Sequence, residues 1–510
     1  MMALFAVKPD HPMADIKEAK TLIAELPAND AFKMIEEVTY WLDSINRTAE
    51  FKADQRFALI DMLDQAAKNH QRKLSQDYLA TERKQKFLEA RLWKAMFEFW
   101  KELGDAYIRC VEQYQSGSTA IKKDLPVIVA RALRALTLQL KWQLLRYGPI
   151  ENRIWAEIGR LYQFADTRYF TTDEIAVYPG AHGASSVLRE FLKAVMLSVS
   201  STDGLAPARQ EVAERVVAHF GALFIMEDQP GEGCNFFLDL SMREPPARVR
   251  KGAKPAPTIR FFGAGRALPA LYKLMQDIKQ KEGVPSDVHL GGSFDNDLVL
   301  SVLQHLAMCW SDHAPARSSE RRQTASRLTV VHDFQNMLAG LGDDAMSLDF
   351  DNAKDSESWI VENISDGGYG AIVPQVKGDW VHVGSLVGLK TETAKFWGAG
   401  VIRRLTRDKF QQRCVGIQLL SKSVMVVRLA PAGHISSFNA TREGDRAILL
   451  SVAPDKNGEI ELLLRAGSFT SGQSLEMNIE DKTYLLIPSK LVEGGDDFDW
   501  ARFKLLEKQQ

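Results

Sequence analysis

Residues 359–375 read WIVENISDGGYGAIVPQ. Two strand-like runs rich in β-branched and apolar residues are interrupted by Asn363, Ser365, Asp366, Gly367 and Gly368. Such a break is a turn between strands or a turn that grips a small ligand. The surroundings decide that a β-domain lies here. From about residue 326 onward, RLTVVHDF, SWIVENIS, YGAIVPQV, LVGLKTE, GAGVIRRL, RCVGIQLL and VMVVRLAP carry period-two or β-branched patterns with frequent glycine, and they predict strands. The segment 340–357 is acidic and turn-rich, a loop or insertion. Beyond Pro431 the strand pattern continues in RAILLSVA, EIELLLRA, SLEMNIE and KTYLLIP, and the chain ends in DFDWARFKLLEK.

The opposite end reads differently. Residues 13 to about 115 are rich in Ala, Leu, Glu, Lys and Gln, and AFKMIEEVTYWLDSI and KFLEARLWKAMFEFWKELGDAYIRCV repeat apolar residues at the helical period. KDLPVIVARALRALTLQLKWQLLRYGP predicts a helix with Asp124 as its cap, Pro126 in its first turn and Gly148-Pro149 at its end. Further helices follow in RIWAEIGRLYQFADTRYF, ASSVLREFLKAVMLSVSS and RQEVAERVVAHFGALF. CNFFLDLSMREPPARV and PTIRFFGAG predict short strands around the basic loop RVRKGAKPAPT, and two more helices precede His313. The expected fold class is a multidomain α+β chain, an α-helical N-terminal half followed by a small antiparallel β-barrel and a further C-terminal β segment. The expected divisions are an α-helical domain over 13–205, a mixed α/β region over 206–313, a barrel over 314–431, and 432–510 as a separate β-domain or an extension of the barrel.

Composition narrows function. At 510 residues, 45% hydrophobic and 25% charged, the chain is long enough for two or more globular cores. A formal charge of −2 gives no global basic field for DNA or RNA, so any polyanion site is local. Cys110, Cys234, Cys309 and Cys414 are dispersed without metal or disulfide spacing, which fits a reducing cytoplasm and no metal. No apolar run reaches the ~18 residues of a membrane span, and the start, MMALFAVKPDHP, lacks the basic flank of a signal peptide. FGAGRAL at 262–268 has two glycines but not the third of a dinucleotide fingerprint. His305 and Cys309, one helical turn apart, read as core, as does the stripe Trp93, Phe97 and Trp100. No catalytic constellation is visible, so no enzyme and no cofactor are expected.

Ahead of the first strand lies APARSSERRQTASRLTVV, in which Arg317 and Arg321 are separated by three residues and are followed by Arg322 and Arg327. Asn363, Ser365 and Gly368 form Asn-x-Ser-x-x-Gly. Arg-x-x-x-Arg before a strand, then Asp/Asn-x-Ser-x-x-Gly between strands, resembles the PilZ family over residues from about 317 to 430, with VGIQLL at 415–420 similar to a closing barrel strand. The resemblance implies a six-stranded barrel that binds the bacterial second messenger cyclic di-GMP. It implies ligand contacts from Arg317 and Arg321, with Arg322 and Arg327 as alternates, and from Asn363, Ser365, Gly367 and Gly368. Guanidinium groups suit such a ligand, because they bond phosphate oxygens or guanine O6 and N7 in pairs and stack on bases, whereas lysine offers one point charge. Gly367 and Gly368 permit positive φ and close backbone approach. About forty residues separate Arg321 from Asn363, longer than the family's usual spacing.

The expectation is thus a cytoplasmic cyclic di-GMP receptor. Ligand clamping would order the lead-in 314–327, and the helical half would act on an unidentified protein partner, in motility, pilus or biofilm regulation. The alternative is a scaffold whose barrel no longer binds nucleotide, with Asn363 and the glycines merely shaping a turn.

Overall fold

A computed structural model describes residues 9–507 apart from 83–84, 179–182, 282, 314–320, 342–355, 375–377, 433–444, 452 and 480–481. The chain forms two compact units, Met1–Ala316 and Arg317–Gln510. It is α+β, with a helical N-terminal half and antiparallel six-stranded barrels after it.

The first unit holds α1 (Ile16–Ala24), α2 (Ala31–Arg47), α3 (Ala53–Ala80), α4 (Lys86–Gln115), α5 (Leu125–Leu144), α6 (Asn152–Asp166), α7 (Val187–Ser198), α8 (Pro207–His219), α9 (Ala267–Lys281) and α10 (Asn296–Trp310). A four-stranded sheet, β1 (Ile225–Glu227), β2 (Phe236–Asp239), β3 (Ala247–Arg248) and β4 (Ile259–Gly263), is ordered β1-β4-β2-β3. Local chemistry starts several helices: the side chains of Asp15, Asp30, Ser186 and Asp295 accept from first-turn amides. Asp124 makes no such bond; it ends a 3-10 turn, and Pro126 alone marks the start of α5. That helix is buried on nearly every side and packs against α4, α6 and α7. One apolar core runs from Met13 to Trp310, so the helices before and after residue 205 share an interior.

The second unit contains β5 (Arg322–His332), α11 (Phe334–Leu341), β6 (Glu357–Ser365), β7 (Gly368–Val373), β8 (Leu386–Thr391), β9 (Gly398–Arg407) and β10 (Arg413–Ser421), whose strands close a barrel in the order β10-β7-β6-β5-β8-β9. A second closed barrel, β11-β12-β13-β16-β15-β14, is built from β11 (Met425–Pro431), β12 (Asp445–Leu449), β13 (Glu459–Arg465), β14 (Leu475–Ile479), β15 (Lys482–Gly494) and β16 (Phe498–Glu507). The run VMVVRLAP therefore pairs within the second barrel, with β12 and β14, and not within the first. The helix α11 replaces the tail of the strand expected over RLTVVHDF. Asp333, at φ 62°, turns the chain and accepts from the Asn336 amide at 2.7 Å, and Phe334, Met337 and Leu338 then bury one helical face. The barrels meet through an apolar cluster in which Leu386, Trp397, Ala399 and Val401 of the first join Ile448, Leu450, Leu463 and Phe498 of the second.

Candidate functional site

The glycine-rich stretch is the hairpin between β6 and β7. Ser365 pairs with Gly368, leaving Asp366 and Gly367 at the tip. The Ser365 hydroxyl is 3.4 Å from the Gly368 carbonyl oxygen, and the Leu419 amide donates to the Gly367 carbonyl at 2.9 Å, so β10 holds the tip from the side. Gly368 has φ 156°, and a Cβ there would lie 1.9 Å from the Ile417 carbonyl oxygen. Only glycine lets β7 and β10 close at this point.

Two residue rows further along, the register aligns Gln323, Asn363, Gly370, Gly416 and Arg404 across β5, β6, β7, β10 and β9. The two glycines leave a bare strip of barrel wall. Asn363 folds its amide over Gly370, where a Cβ would come 2.5 Å from its Nδ2, and the Arg404 stem passes over Gly416, 3.4 Å from a Cβ built there. Gly416 faces Arg404 while Ile417 faces Ile402, so Arg403 is the extra residue of a β-bulge. Bulges re-aim side chains, and here both arginines reach the same recess.

That recess is a cleft of about 190 Å³, open to solvent. Arg321, Arg403 and Arg404 line it together with Ser365, Gly367, Gly368 and Tyr369 of the hairpin and Gly416, Ile417 and Gln418 of β10. Its lining carries three guanidinium groups and no carboxylate. Arg321 is exposed, and no hydrogen bond or ion pair among the described residues engages it. Arg403 is already bound: its Nε donates to Gln418 Oε1 at 2.7 Å, and its two terminal nitrogens donate to Glu493 on β15, each at 2.6 Å. Burial pushes the Tyr369 hydroxyl above its usual range, keeping it a proton donor.

Of the residues singled out from sequence, Arg321, Ser365, Gly367 and Gly368 come together in this cleft. Arg322 and Arg327 are exposed on β5 opposite Ile364 and Ile360 and do not line it, and Asn363 covers Gly370 beside it. Arg317 and most of the acidic insertion lie outside the described residues. Arg403, Arg404 and Gln418 escaped sequence reading. Their signal was the pair Arg403-Arg404 inside GAGVIRRL: a regular strand would send one of two adjacent arginines into the core, so the pair implies a bulge.

Among the described residues no cluster of His, Cys, Asp and Glu could hold a metal, and no helix is long and apolar enough to cross a membrane. Residues 17–230 match the family described as the N-terminal domain of the cyclic-di-GMP receptor FimW. No curated protein matches the chain.

Proposed function

We propose that the chain is a receptor for cyclic di-GMP and takes the nucleotide at the cleft of its first barrel, which is PilZ-like. The carrying observation is the convergence of Arg321, Arg403 and Arg404 on the Ser365–Gly368 hairpin in a cleft whose lining holds no carboxylate, with Glu493 pairing Arg403 from outside it. Such a cleft suits a ligand with two phosphates and flat purines. Arg321 is free to pair with phosphate or guanine, and the stripped wall at Gly368 and Gly416 lets a base approach the backbone. The likeness of residues 17–230 to the N-terminal domain of a cyclic-di-GMP receptor supports the same ligand from the other unit. In this reading the protein is a non-enzymatic cytoplasmic effector, and its helical unit engages a protein partner in motility, pilus or biofilm control.

Calorimetric titration with cyclic di-GMP tests the proposal. Wild type binds in the micromolar range, roughly 8 kcal/mol net, and Arg321→Ala binds at least tenfold more weakly. No heat from wild type removes the receptor reading. Equal binding by the two proteins removes the assignment of Arg321.

A further inference from the structure

The helical unit contains a second recess, separate from the barrel cleft and unlike it in being charged on all sides. It has a volume of about 120 Å³ and is walled by α3, α4, α5, α7, α8 and Tyr178. Helical spacing gathers its charges. Lys68 and Arg72 stand one turn apart on α3, and Arg134 and Lys141 two turns apart on α5. With Lys193 and Arg215 they make six cationic side chains, against the carboxylates of Asp64, Glu190 and Glu214 in the lining and of Glu211 beside it.

Three of the cations are accounted for. Lys141 pairs with Glu211 at 2.6 Å and Glu214 at 2.9 Å, Arg215 with Glu211 at 3.0 Å, and Lys193 with Glu190 at 2.7 Å. The others are not. Asp64 accepts from the hydroxyls of Tyr107 at 2.6 Å and Tyr178 at 3.0 Å, and no hydrogen bond or ion pair among the described residues engages the charged ends of Lys68, Arg72 or Arg134. Arg134 and Lys68 instead lie over the Tyr178 ring, 5.2 and 5.6 Å from its centroid. A further donor is idle: Trp100, only 4% exposed, lines the cavity, and its buried Nε1 has no partner among the described residues. Arg134 lies in the fields of Glu190, Glu214 and Asp64 without bonding any of them among the described residues, so its guanidinium donors are open to a further anion, and an unmet buried indole N–H costs stability.

We propose that this cavity binds a small phosphate-bearing anion, held by Arg134 and Lys68 with Arg72 at the solvent end. The shared chemistry is a tetrahedral, multiply charged oxyanion, which accepts from guanidinium in pairs. Unlike the open barrel cleft, this space of about 120 Å³ is hemmed in by five helices, so a phosphate group enters and a dinucleotide does not. This site is independent of the barrel cleft.

The test is calorimetric titration of the full chain with inorganic phosphate and, separately, with AMP, in a chloride buffer. Saturable binding of either probe with one site per chain is expected, weakened at least tenfold by Arg134→Met and at least threefold by Lys68→Ala, and unchanged in Arg321→Ala. Inorganic phosphate binding as tightly as AMP assigns the free ion, and tighter AMP assigns a phosphate carried on a small organic group. If Arg134→Met fails to fold, Lys68→Ala carries the decision. No saturable binding of either probe overturns the proposal, as does binding that both cavity variants leave intact or that Arg321→Ala abolishes.

Discussion

The second unit builds the same object twice and uses it in two ways. Both barrels are closed, antiparallel and six-stranded. The strands of the first contain Gly368, Gly370, Gly388, Gly398, Gly400 and Gly416, whereas those of the second contain only Gly494, at the end of β15. Where the first barrel omits side chains, strands and arginine stems move in and a recess opens on the outer wall. The second keeps them, and on its outer wall Arg502 pairs with Glu461 at 2.7 Å and Lys482 with Glu507 at 2.8 Å; its own recess, about 370 Å³, lies against α11 instead of over bare glycines. A closed barrel therefore does not itself carry a site. The site arises where register stacks glycines and a bulge brings cations over them.

The sharpest way to break that contrast is to restore a side chain. Gly368→Ala sets a methyl against the Ile417 carbonyl, so β7 and β10 must part. We expect a loss of about 2–3 kcal/mol in stability by thermal melting and more than a hundredfold loss of cyclic di-GMP binding. Gly458→Ala, in a second-barrel turn at φ 75° with nothing within 4 Å, meets only backbone strain. It costs about 1–2 kcal/mol and leaves binding intact.

Removing a cation comes next. Arg321→Ala lowers affinity at least tenfold, the loss of one good paired contact worth ~1–3 kcal/mol, and leaves the melting temperature within a degree, since its side chain has no partner among the described residues. A smaller effect tests the strap between barrels. Glu493→Gln weakens the hold on Arg403 and frees it for the ligand, so affinity rises two- to threefold in the same titration; weaker binding would mean that Arg403 serves the cleft only while Glu493 fixes it. The smallest effect is the control. Arg502→Ala, on the outer wall of the second barrel, changes affinity by less than twofold.

Much of this was legible in the chain. Alternation in SWIVENIS and RCVGIQLL marks strands, and Ser365 and Gly368 mark the hairpin, because these are local properties of backbone and turn chemistry. Arg321 also announced itself, by preceding the first strand. The rest is register. Nothing in the spacing of residues 321 and 403 says that β9 lies beside β10 and that its bulge turns Arg403 and Arg404 toward the hairpin. Asn363 reads as a ligand group, but it sits opposite Gly370 and fills the missing side chain's place. The second barrel was legible as strands but not as a closed ring, since closure depends on β11 leaving the preceding strands to join β12 and β14.

The central claim, that one barrel binds the nucleotide and its twin does not, is tested most directly by amide hydrogen exchange of the full chain with and without cyclic di-GMP. The account predicts slowed exchange in the β6–β7 hairpin and in β9 and β10, with β12, β13 and β16 unchanged. Protection confined to the second barrel or the helical unit, or none anywhere at saturating nucleotide, would contradict it.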